Sequence, residues 1–415
     1  MCSLGVCISG CQLDQDCADV PGRPICSAGG TCVGCEDASQ CPAEAAICDA
    51  ATHACRGCTG DGDCTGGVCL EVDGVCAADD NVVFVAAGGS DAGTCSRMSP
   101  CGTLGFGFSK VTATRSAIRL LTSAVDVGTP MFGKSAYVGG LAGGTTLIGP
   151  ASPAIDIAGQ ITVTLANIKL GGPTLSIRNG ATARLDNFEA PGLIDVNTGT
   201  LTARLARTRR IACTSGTLSI RDSQLTNPNA VAAVEATTCD LTIQRNRFEG
   251  TKLLYVSGGK ALVENNLFIG TEPLADITQL LGTLNSSVRF NTFVNTTTSP
   301  SDGAALCFDP SVSVTSNVFA YNSVHPLGSQ SCTGRAVFSL FDGATSAVDR
   351  SGFGNQQADR ATFFVDLTNL DLHLGTTSPA RAASEPGLGV TTDFAGAVRP
   401  QPAGTVADAG AFEAP

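Results

Sequence analysis

Short alternating runs of apolar and polar residues dominate the chain after residue 81. Four of these runs align without gaps and share the order apolar or small, any, apolar, any, any, Asn, any, Phe. They cover residues 241–248, 261–268, 286–293 and 312–319. Alternation with a period of two residues is typical of half-buried strands. Each run therefore predicts a short β-strand that ends in a turn.

Weaker copies of the same pattern precede these four runs. The Asn position recurs at residues 168, 188, 206, 223, 246, 266, 291 and 317, an average repeat of about 21 residues. Such a repeat is too short for a βαβ unit, which needs about 30 residues. It can form one coil of a stack, in which each strand pairs with the strands above and below at a distance of about 4.8 Å.

Stacking predicts columns of equivalent side chains. Phe248, Phe268, Phe293 and Phe319 are expected to form an internal aromatic column. Asn246, Asn266, Asn291 and Asn317 are expected to form a ladder at a turn, because Asn tolerates left-handed backbone and its amide can bond along the stack. One ladder accounts for all four residues, so we predict a structural role for them.

Both ends of the repeat region carry motifs of one family. The first comprises Val82-Val-Phe-Val85, Gly88-Gly-Ser-Asp91-Ala-Gly-Thr94, Pro100, Thr103 and Leu104. The second comprises Asp371-Leu-His-Leu374, Ser378-Pro-Ala380, Asp393-Phe-x-Gly396, Arg399-Pro400 and Asp408-Ala-Gly-Ala-Phe-Glu413. With the repeats, they make residues 81–415 resemble the right-handed parallel β-helix, or pectin-lyase-like, superfamily. The second set resembles the terminal segment of bacterial surface β-helix proteins.

The resemblance implies an all-β fold, a right-handed parallel β-helix of about 8–10 coils with an N-terminal capping helix. We expect that helix over residues 104–113 and a strand over 117–121. A small disulfide-rich region with little regular structure precedes it. The expected divisions are Cys-rich repeats over 1–80, the opening segment and cap over 81–121, coils over 122–345, and a C-terminal β-helix segment over 346–415.

Fourteen of the 20 cysteines lie in residues 1–80, with 13 acidic and 2 basic residues, so this region carries −11 of the net charge of −12. Its tandem four-cysteine units predict two disulfides each, with three pairings open per unit. Zinc bound by Cys32, Cys35, Cys55 and Cys58 is the alternative. Asp14, Asp16, Asp61 and Asp63 only weakly suggest calcium. We expect disulfides, no cofactor, and folding in an oxidising compartment.

Cys2 and Cys7 match the last two cysteines of a preceding unit, and no charged or apolar leader stands before them. We therefore expect further sequence upstream and an extracellular or cell-surface location. Cys95 and Cys101 are expected to staple the opening loop. Cys213 with Cys239, and Cys307 with Cys332, are one coil apart and predict coil-to-coil staples.

Many enzymes of this superfamily act on acidic polysaccharides through clustered carboxylates beside an Arg or Lys. The aligned repeats place no two carboxylates on successive coils in the two columns before the Asn position, and the chain has no Trp and only 3 Tyr. We therefore assign no catalytic, cofactor-binding or metal residues. His373 belongs to the terminal motif, which predicts a structural role. The expected function is noncatalytic display, adhesion or glycan binding; the alternatives are a diverged polysaccharide lyase or glycoside hydrolase, and a passive envelope component.

Residues 161–300 hold 13 basic and 10 acidic residues, so they are locally basic in an acidic protein. Arg204, Arg207, Arg209 and Arg210 form a candidate contact for an anionic glycan or another cell-surface component. Ordinary solvated arginines are the alternative interpretation. The net charge argues against nucleic acid as a partner, and no apolar run reaches the roughly 18 residues of a membrane helix.

Overall fold

A computed structural model describes residues 2–3, 6–7, 10–128, 131–149, 155–172, 174–229, 231–271, 278–281, 283, 285–295, 307–308, 310–320, 334–342 and 352–414. The chain divides into two compact units. The first comprises residues 1–128 and 136–145, and the second comprises 129–135 and 146–415.

The Cys-rich repeats of the first unit are small antiparallel hairpins, and the last three of the four hairpins each follow one or two short 3-10 turns. The hairpins pair Cys2–Ser3 with Val6–Cys7, Ile25–Cys26 with Cys32–Val33, Ile47–Asp49 with Ala54–Arg56, and Gly67–Leu70 with Val75–Ala78. The 3-10 turns are Asp14–Cys17, Ala38–Gln40, Ala43–Ala45, Asp61–Asp63 and Asp79–Asn81. The repeated sequence spacing therefore produces a repeated structure.

One disulfide pattern recurs in three successive repeats: the first cysteine bonds to the third, and the second bonds to the fourth. The pairs are Cys11–Cys26, Cys17–Cys32, Cys35–Cys48, Cys41–Cys55, Cys58–Cys69 and Cys64–Cys76. The four cysteines of the zinc alternative are all used in these bonds, so that quartet does not form. The pairing leaves no free cysteine among the described residues.

Acidic residues of the repeats bind the backbone of their own turns. The Asp16 carboxylate accepts the N–H groups of Gln12 and Leu13, and Asp63 accepts the N–H of Thr59. Arg56 also pairs with Asp63 at 2.8 Å, and this contact holds the pKa of the Asp63 carboxyl below its usual range. These contacts give the acidic positions a structural role in the turns.

The first unit continues into the opening segment of the β-helix. Its strands are Val82–Val85, Ala117–Leu120, Ala124–Asp126 and Ala136–Gly139, and its helix is Leu104–Ser109. Thr103 caps this helix by accepting the N–H of Phe106 at 3.2 Å. The helix ends four residues before the predicted end, because two glycines weaken it and Lys110 already donates to the carbonyl of Gly107. The 117–120 strand ends one residue earlier than predicted.

Ion pairs join the third Cys-rich repeat to this opening segment. Arg119 is only 6% exposed, and its guanidinium contacts the Asp61 carboxylate at 2.9 Å. Arg97 pairs with Asp79 at 2.6 Å and also donates to the carbonyl of Gly67. The last repeat and the first coil of the β-helix therefore pack as one body.

The second unit is a stack of coils with three parallel sheets. Sheet A contains the starts of Thr162–Leu170 and Thr182–Asn197, then Thr200–Arg204, Thr217–Arg221, Asp240–Gln244, Ala261–Glu264, Ser286–Arg289 and Val312–Thr315. Sheet B contains the end of Thr162–Leu170, the middle of Thr182–Asn197, the start of Arg207–Thr214, then Gln224–Asn227, Arg247–Gly250, Leu267–Gly270, Thr292–Asn295, Val318–Ala320, Leu340–Asp342 and Gln356–Ala358.

Sheet C completes each coil. It contains Met131–Phe132, Ile155–Ala158, Thr174–Arg178, the ends of Thr182–Asn197 and Arg207–Thr214, then Val234–Thr237, Leu254–Ser257, Thr278–Leu281 and Cys307–Phe308. Thr145–Ile148 is a strand at the boundary of the two units in sequence. The register of these parallel pairs confirms the predicted all-β fold and the parallel β-helix.

The interior of the coils is filled by stacked apolar columns. Phe248, Phe268, Phe293, Phe319 and Phe341 are fully buried on successive strands of sheet B. Their rings stack with centroid separations of 4.8 to 5.1 Å and tilts of at most 16°. The strand spacing therefore sets the ring spacing. Phe341 extends the column beyond the four residues that the sequence repeat identified.

The corner between sheets A and B is left-handed, but not at the Asn positions that the sequence indicated. Left-handed φ values of 47° to 57° occur one residue earlier, at Asn167, Asn187, Leu205, Asp222, Arg245, Asn265, Phe290 and Ser316. That detail of the prediction was wrong. Even Leu and Phe adopt this backbone here, so the stacked pairing imposes the corner against an ordinary cost of about 1 kcal/mol for a side chain with Cβ.

The residue after each left-handed position points into the stack. Asn246, Asn266, Asn291 and Asn317 are fully buried there. Asn266 N donates to Asn291 Oδ1 at 2.9 Å, and Asn266 Nδ2 donates to the carbonyl of Ile243. Asn246 and Asn291 repeat the first contact with the next Asn of the column. Ser223, Ser339 and Asn355 continue the column at its two ends.

The C-terminal segment begins with the 3-10 turn Arg360–Thr362 and the antiparallel hairpin of Phe364–Asp366 and Asp371–Leu374. The later residues have little regular structure. Apolar side chains of the hairpin and of these later residues, among them Leu372, Ala411 and Phe412, share one buried cluster with Leu267 and Val318 of sheet B. The segment therefore covers part of the outer face of this sheet.

Candidate functional site

The outer face of sheet B changes character along the stack. One outward column reads Lys169, Glu189, Arg207, Gln224, Arg247, Leu267, Thr292, Val318 and Leu340 in register. A parallel column reads Thr226, Glu249, Ile269, Val294 and Ala320. Both columns change from polar to apolar between the strands 247–250 and 267–270. We call the polar part the open face and the apolar part the covered face.

The covered face is held by hydrogen bonds as well as by apolar packing. Thr292 Oγ1 accepts the N–H of Ala411 at 2.9 Å. Asn265 Nδ2 donates to the carbonyl of Thr392 at 2.8 Å. The Val318 and Leu340 side chains are fully buried under the segment. Apolar outward residues and the segment therefore stabilise each other.

A buried charged cluster fixes the C-terminal segment. Arg399 is 3% exposed, and it donates to the carbonyls of Asp408 and Gly410, each at 2.7 Å. Its guanidinium lies 4.5 Å from the centre of the Phe290 ring and 3.5 Å from a Glu413 carboxylate oxygen. Burial lowers the pKa of Arg399 and raises the pKa of Glu413.

Backbone amides complete this cluster. Glu413 accepts the N–H groups of Gln401 and Asp408. Asp393 accepts the N–H of Glu413 at 2.9 Å, and Asp408 accepts the N–H of Ala414 at 2.8 Å. The charged residues of the terminal sequence motif therefore serve the packing of the segment.

The open face carries two adjoining cavities. The first has a volume of about 420 Å³, and the second has a volume of about 370 Å³. Both are lined by Arg207 and Gln224. The first is also lined by Arg245, Arg247 and Phe394, and the second by Arg209, Thr226 and Pro228. We call the two cavities together the arginine groove.

Register sets the charge spacing in the groove. Arg207 and Arg247 belong to strands two steps apart, with Gln224 between them. Their backbones are therefore about 10 Å apart. Thr208 lies between Arg207 and Arg209 and is buried, so the two arginines share the outer face. The groove presents a short row of cations along the stack.

The structure separates the four arginines of the predicted cluster. Arg204 pairs with Asp186 at 2.7 Å, and Arg210 pairs with Glu235 at 2.8 Å. Arg207 and Arg209 are exposed, and neither forms an ion pair with any carboxylate of the described residues. The structure therefore brings only these two together in the groove.

Two more arginines enter the site through the fold. Arg245 makes a two-pronged contact with Asp222, with nitrogen–oxygen distances of 2.6 and 2.9 Å. This contact raises the pKa of Arg245. Arg247 lies in register with Gln224 and contacts Glu249 at 3.3 Å. The sequence places both arginines in the basic region, but only the register brings them beside Arg207.

Phe394 is a groove residue that the sequence identified only as part of the terminal Asp393-Phe motif and not as a site residue. It packs edge-on against Phe412 with a centroid distance of 5.3 Å, and it lines the first cavity. No local pattern links it to the arginines, because it comes from the C-terminal segment, far along the chain. An aromatic side chain at the end of a row of cations gives the groove one apolar wall.

The other predicted residues have structural surroundings. Cys95 bonds to Cys101, and Cys213 bonds to Cys239 across neighbouring coils with a Cα separation of 6.3 Å. Cys307 is also disulfide-bonded, while Cys332 lies outside the described residues. His373 pairs with Asp371 at 2.6 Å and lies 4.3 Å from the Phe412 ring.

Cys213 and Cys239 are three residues out of register, since Cys213 pairs with Ala236. The bond therefore runs diagonally across the corner that follows sheet C, where Thr238 is left-handed. The two cysteines lie at unequal sequence distances before the Asn positions of their coils, and the diagonal bond accommodates this difference. The number of disulfides in the chain indicates folding in an oxidising environment.

Within the described part of the chain, no helix is both long and apolar enough to span a membrane. No protein-family model and no curated protein matches the sequence. The chain is similar to the crystal structure of pectate lyase Pel9A, with 13% identity and a TM-score of 0.38, over 80% of this chain and 96% of that one. At this level the similarity adds nothing to the strand pairings, from which the fold is established.

Proposed function

We propose that this protein is a noncatalytic, secreted or cell-surface β-helix protein that binds an acidic polysaccharide or another anionic surface polymer in the arginine groove. One observation carries the proposal. Arg207 and Arg209 are exposed at adjoining cavities, with no carboxylate partner among the described residues. Guanidinium groups that lack an internal partner suit carboxylate, sulfate or phosphate groups.

The surroundings of the groove favour binding over catalysis. Asp222, the carboxylate that lines the first cavity, is engaged by both nitrogens of Arg245. A general base or nucleophile needs a carboxylate that can take a proton or attack the substrate. A carboxylate held in a two-pronged ion pair is poorly suited to either role. Glu189 lines the second cavity, in register with Arg207. A single carboxylate beside an ion-paired one does not supply the pair that a glycoside hydrolase needs. The diverged lyase or hydrolase therefore has less support here than a binding surface.

The direct test is isothermal titration calorimetry with polygalacturonate, alginate and heparin, and with dextran as the uncharged comparison. We expect binding of the anionic polymers that weakens between 50 and 300 mM salt, because salt screens exposed charges within about 10 Å. The double variant Arg207→Gln/Arg209→Gln should lose about tenfold or more in affinity. Circular dichroism checks that it folds.

Arg204→Gln is the matched control, since Arg204 is close in sequence but is paired with Asp186. It should leave affinity within about twofold of the parent. If Arg204→Gln lost as much affinity as the double variant, or if the double variant lost none, the arginine groove would be refuted as the binding site. Release of unsaturated or reducing sugars during the titration would favour the enzyme, and failure of every polymer to bind would favour a passive envelope component.

A further inference from the structure

Another cavity opens on a different sheet of the same unit. It lies on the outer face of sheet C, has a volume of about 280 Å³, and is lined by Val231, Glu235, Lys252, Leu254, Tyr255 and Gln279. None of these residues lines the arginine groove. We call it the tyrosine pocket.

Tyr255 stands in the middle of an outward column. Glu235 precedes it on one neighbouring strand, and Gln279 follows it on the other, both in register. Parallel strands lie about 4.8 Å apart, so a carboxylate and an amide flank the phenol ring at that backbone spacing. Tyr255 is half-buried in this position. The arrangement places one aromatic ring between two hydrogen-bonding side chains.

Apolar side chains also line the pocket. Val231 is 43% exposed, and it lines the cavity with Tyr255. An aromatic ring and an exposed aliphatic side chain in one cavity offer apolar surface to a flat ligand with polar edges. A pyranose ring has this character, because its C–H groups make apolar faces and its hydroxyls lie at the edge.

The polar side chains of the pocket are unequal in charge. The Glu235 carboxylate is already paired with Arg210 at 2.8 Å, which neutralises and orients it. The Lys252 ammonium has no ion-pair partner anywhere in the described residues. The pocket therefore retains one net positive charge, beside an oriented hydrogen-bond acceptor.

We propose that the tyrosine pocket binds a single pyranose unit, stacked on the Tyr255 ring, with its hydroxyls on Glu235 and Gln279. A unit with an acidic substituent is preferred, because that substituent contacts Lys252. This site goes beyond the arginine groove, and its test is independent of that groove.

Intrinsic tyrosine fluorescence is the measurement, since the chain has no Trp and only 3 Tyr. Cellohexaose is the neutral probe and hexagalacturonate is the acidic probe. All titrations use the Arg207→Gln/Arg209→Gln background, so that the acidic probe does not bind in the arginine groove. We expect both probes to change the emission and to bind measurably by calorimetry, with the acidic probe several times tighter. Tyr255→Ala should weaken both probes about tenfold or more, whereas Tyr255→Phe should stay within about threefold because it keeps the ring.

Lys252→Gln should weaken hexagalacturonate about fivefold and leave cellohexaose unchanged. The parent chain, which keeps Arg207 and Arg209, is the control for the other site and should bind cellohexaose as tightly as the background. Binding that survives Tyr255→Ala, or the absence of binding by either probe at about 10 mM, would overturn the pocket. Equal losses of both probes in Lys252→Gln would overturn the acidic preference. The proposal for the tyrosine pocket and the proposal for the arginine groove can thus be refuted separately.

Discussion

The open and covered faces belong to the same sheet, have the same strand spacing and lie over the same interior column, yet most of their outward residues differ in polarity. Arg207, Gln224 and Arg247 face solvent on the open part. Leu267, Val318 and Leu340 occupy the same column under the C-terminal segment. The interior repeat therefore specifies the coil. The polarity of the outward residues depends on whether solvent or the C-terminal segment lies against that coil.

The comparison also separates two uses of charge. On the open face, Arg207 and Arg209 are exposed and have no internal partner among the described residues. Under the covered face, Arg399 is buried and surrounded by two carbonyls, an aromatic ring and Glu413. A solvated cation keeps its hydration, so it costs little free energy and can bind a ligand. A buried cation has lost its hydration, so the fold is destabilised unless nearly all of its contacts are made. Four predictions test this distinction.

The largest effect is expected from Arg399→Leu. It removes the donor to the carbonyls of Asp408 and Gly410 and leaves Glu413 buried without its cation. We expect a loss of about 4 kcal/mol in the free energy of opening of the C-terminal segment. Hydrogen exchange of the Ala411 amide measures it. Arg209→Leu on the open face is the control, and a similar loss there would abolish the distinction.

A reciprocal pair of substitutions comes next. Leu267 is 3% exposed and occupies the outward position that Arg247 holds one strand earlier. Leu267→Arg should destabilise the covered coils by about 3 kcal/mol, because it removes a buried apolar side chain and places a charge under the segment. Arg247→Leu should change stability by less than about 0.5 kcal/mol. Urea unfolding followed by circular dichroism compares the two, and equal losses would contradict the assignment of faces.

The interior column should respond differently from either face. Asn291→Ala leaves the N–H of Asn266 without its acceptor inside the stack, and we expect a loss of about 2 kcal/mol. Ser223→Ala removes a single acceptor for the N–H of Ala206 and should cost about 1 kcal/mol. Hydrogen exchange measures the two losses separately, at the Asn266 amide for Asn291→Ala and at the Ala206 amide for Ser223→Ala. Protection that is unchanged in Asn291→Ala would show that the column contributes nothing.

The smallest effect is expected from Arg245→Gln on the open face. Its ion pair with Asp222 is half-exposed, so solvent screens it and we expect a loss of about 0.5 kcal/mol that decreases further in 1 M salt. Thermal unfolding at low and high salt measures this. A loss as large as that of Arg399→Leu would mean that charges on the open face are structural too.

The local pattern was sufficient for the parallel β-helix and the Phe column. Alternating runs that carry Phe at a constant offset predict stacked coils, because stacking places every one of these rings in the same interior. The same pattern misplaced the left-handed corner by one residue, since even Leu205 and Phe290 adopt it under the stacked pairing. Four of the eight corner residues are Asn or Asp, which tolerate this backbone, but the other four are not, because the pairing imposes the corner on them.

The Cys-rich repeats show the same limit. Their spacing predicts disulfide-bonded units, but it leaves three pairings open in each unit. The hairpin in each repeat brings the third and fourth cysteines side by side, as in Cys69 opposite Cys76, and each of them bonds to an earlier cysteine of the same repeat. Three-dimensional placement, rather than spacing, selects among the pairings.

By itself the sequence determined the coil, its period, its interior columns and the disulfide-rich character of the first 80 residues, because each depends on contacts that repeat at short range. The candidate sites required the three-dimensional structure, although the sequence had already named Arg207 and Arg209. Phe394 reaches the arginine groove from the C-terminal segment, and Arg207 meets Arg247 through two parallel pairings. Parallel pairing also places Glu235 and Gln279 on either side of Tyr255. A surface site on a solenoid depends on register and on what covers each coil, and both are long-range properties of the chain.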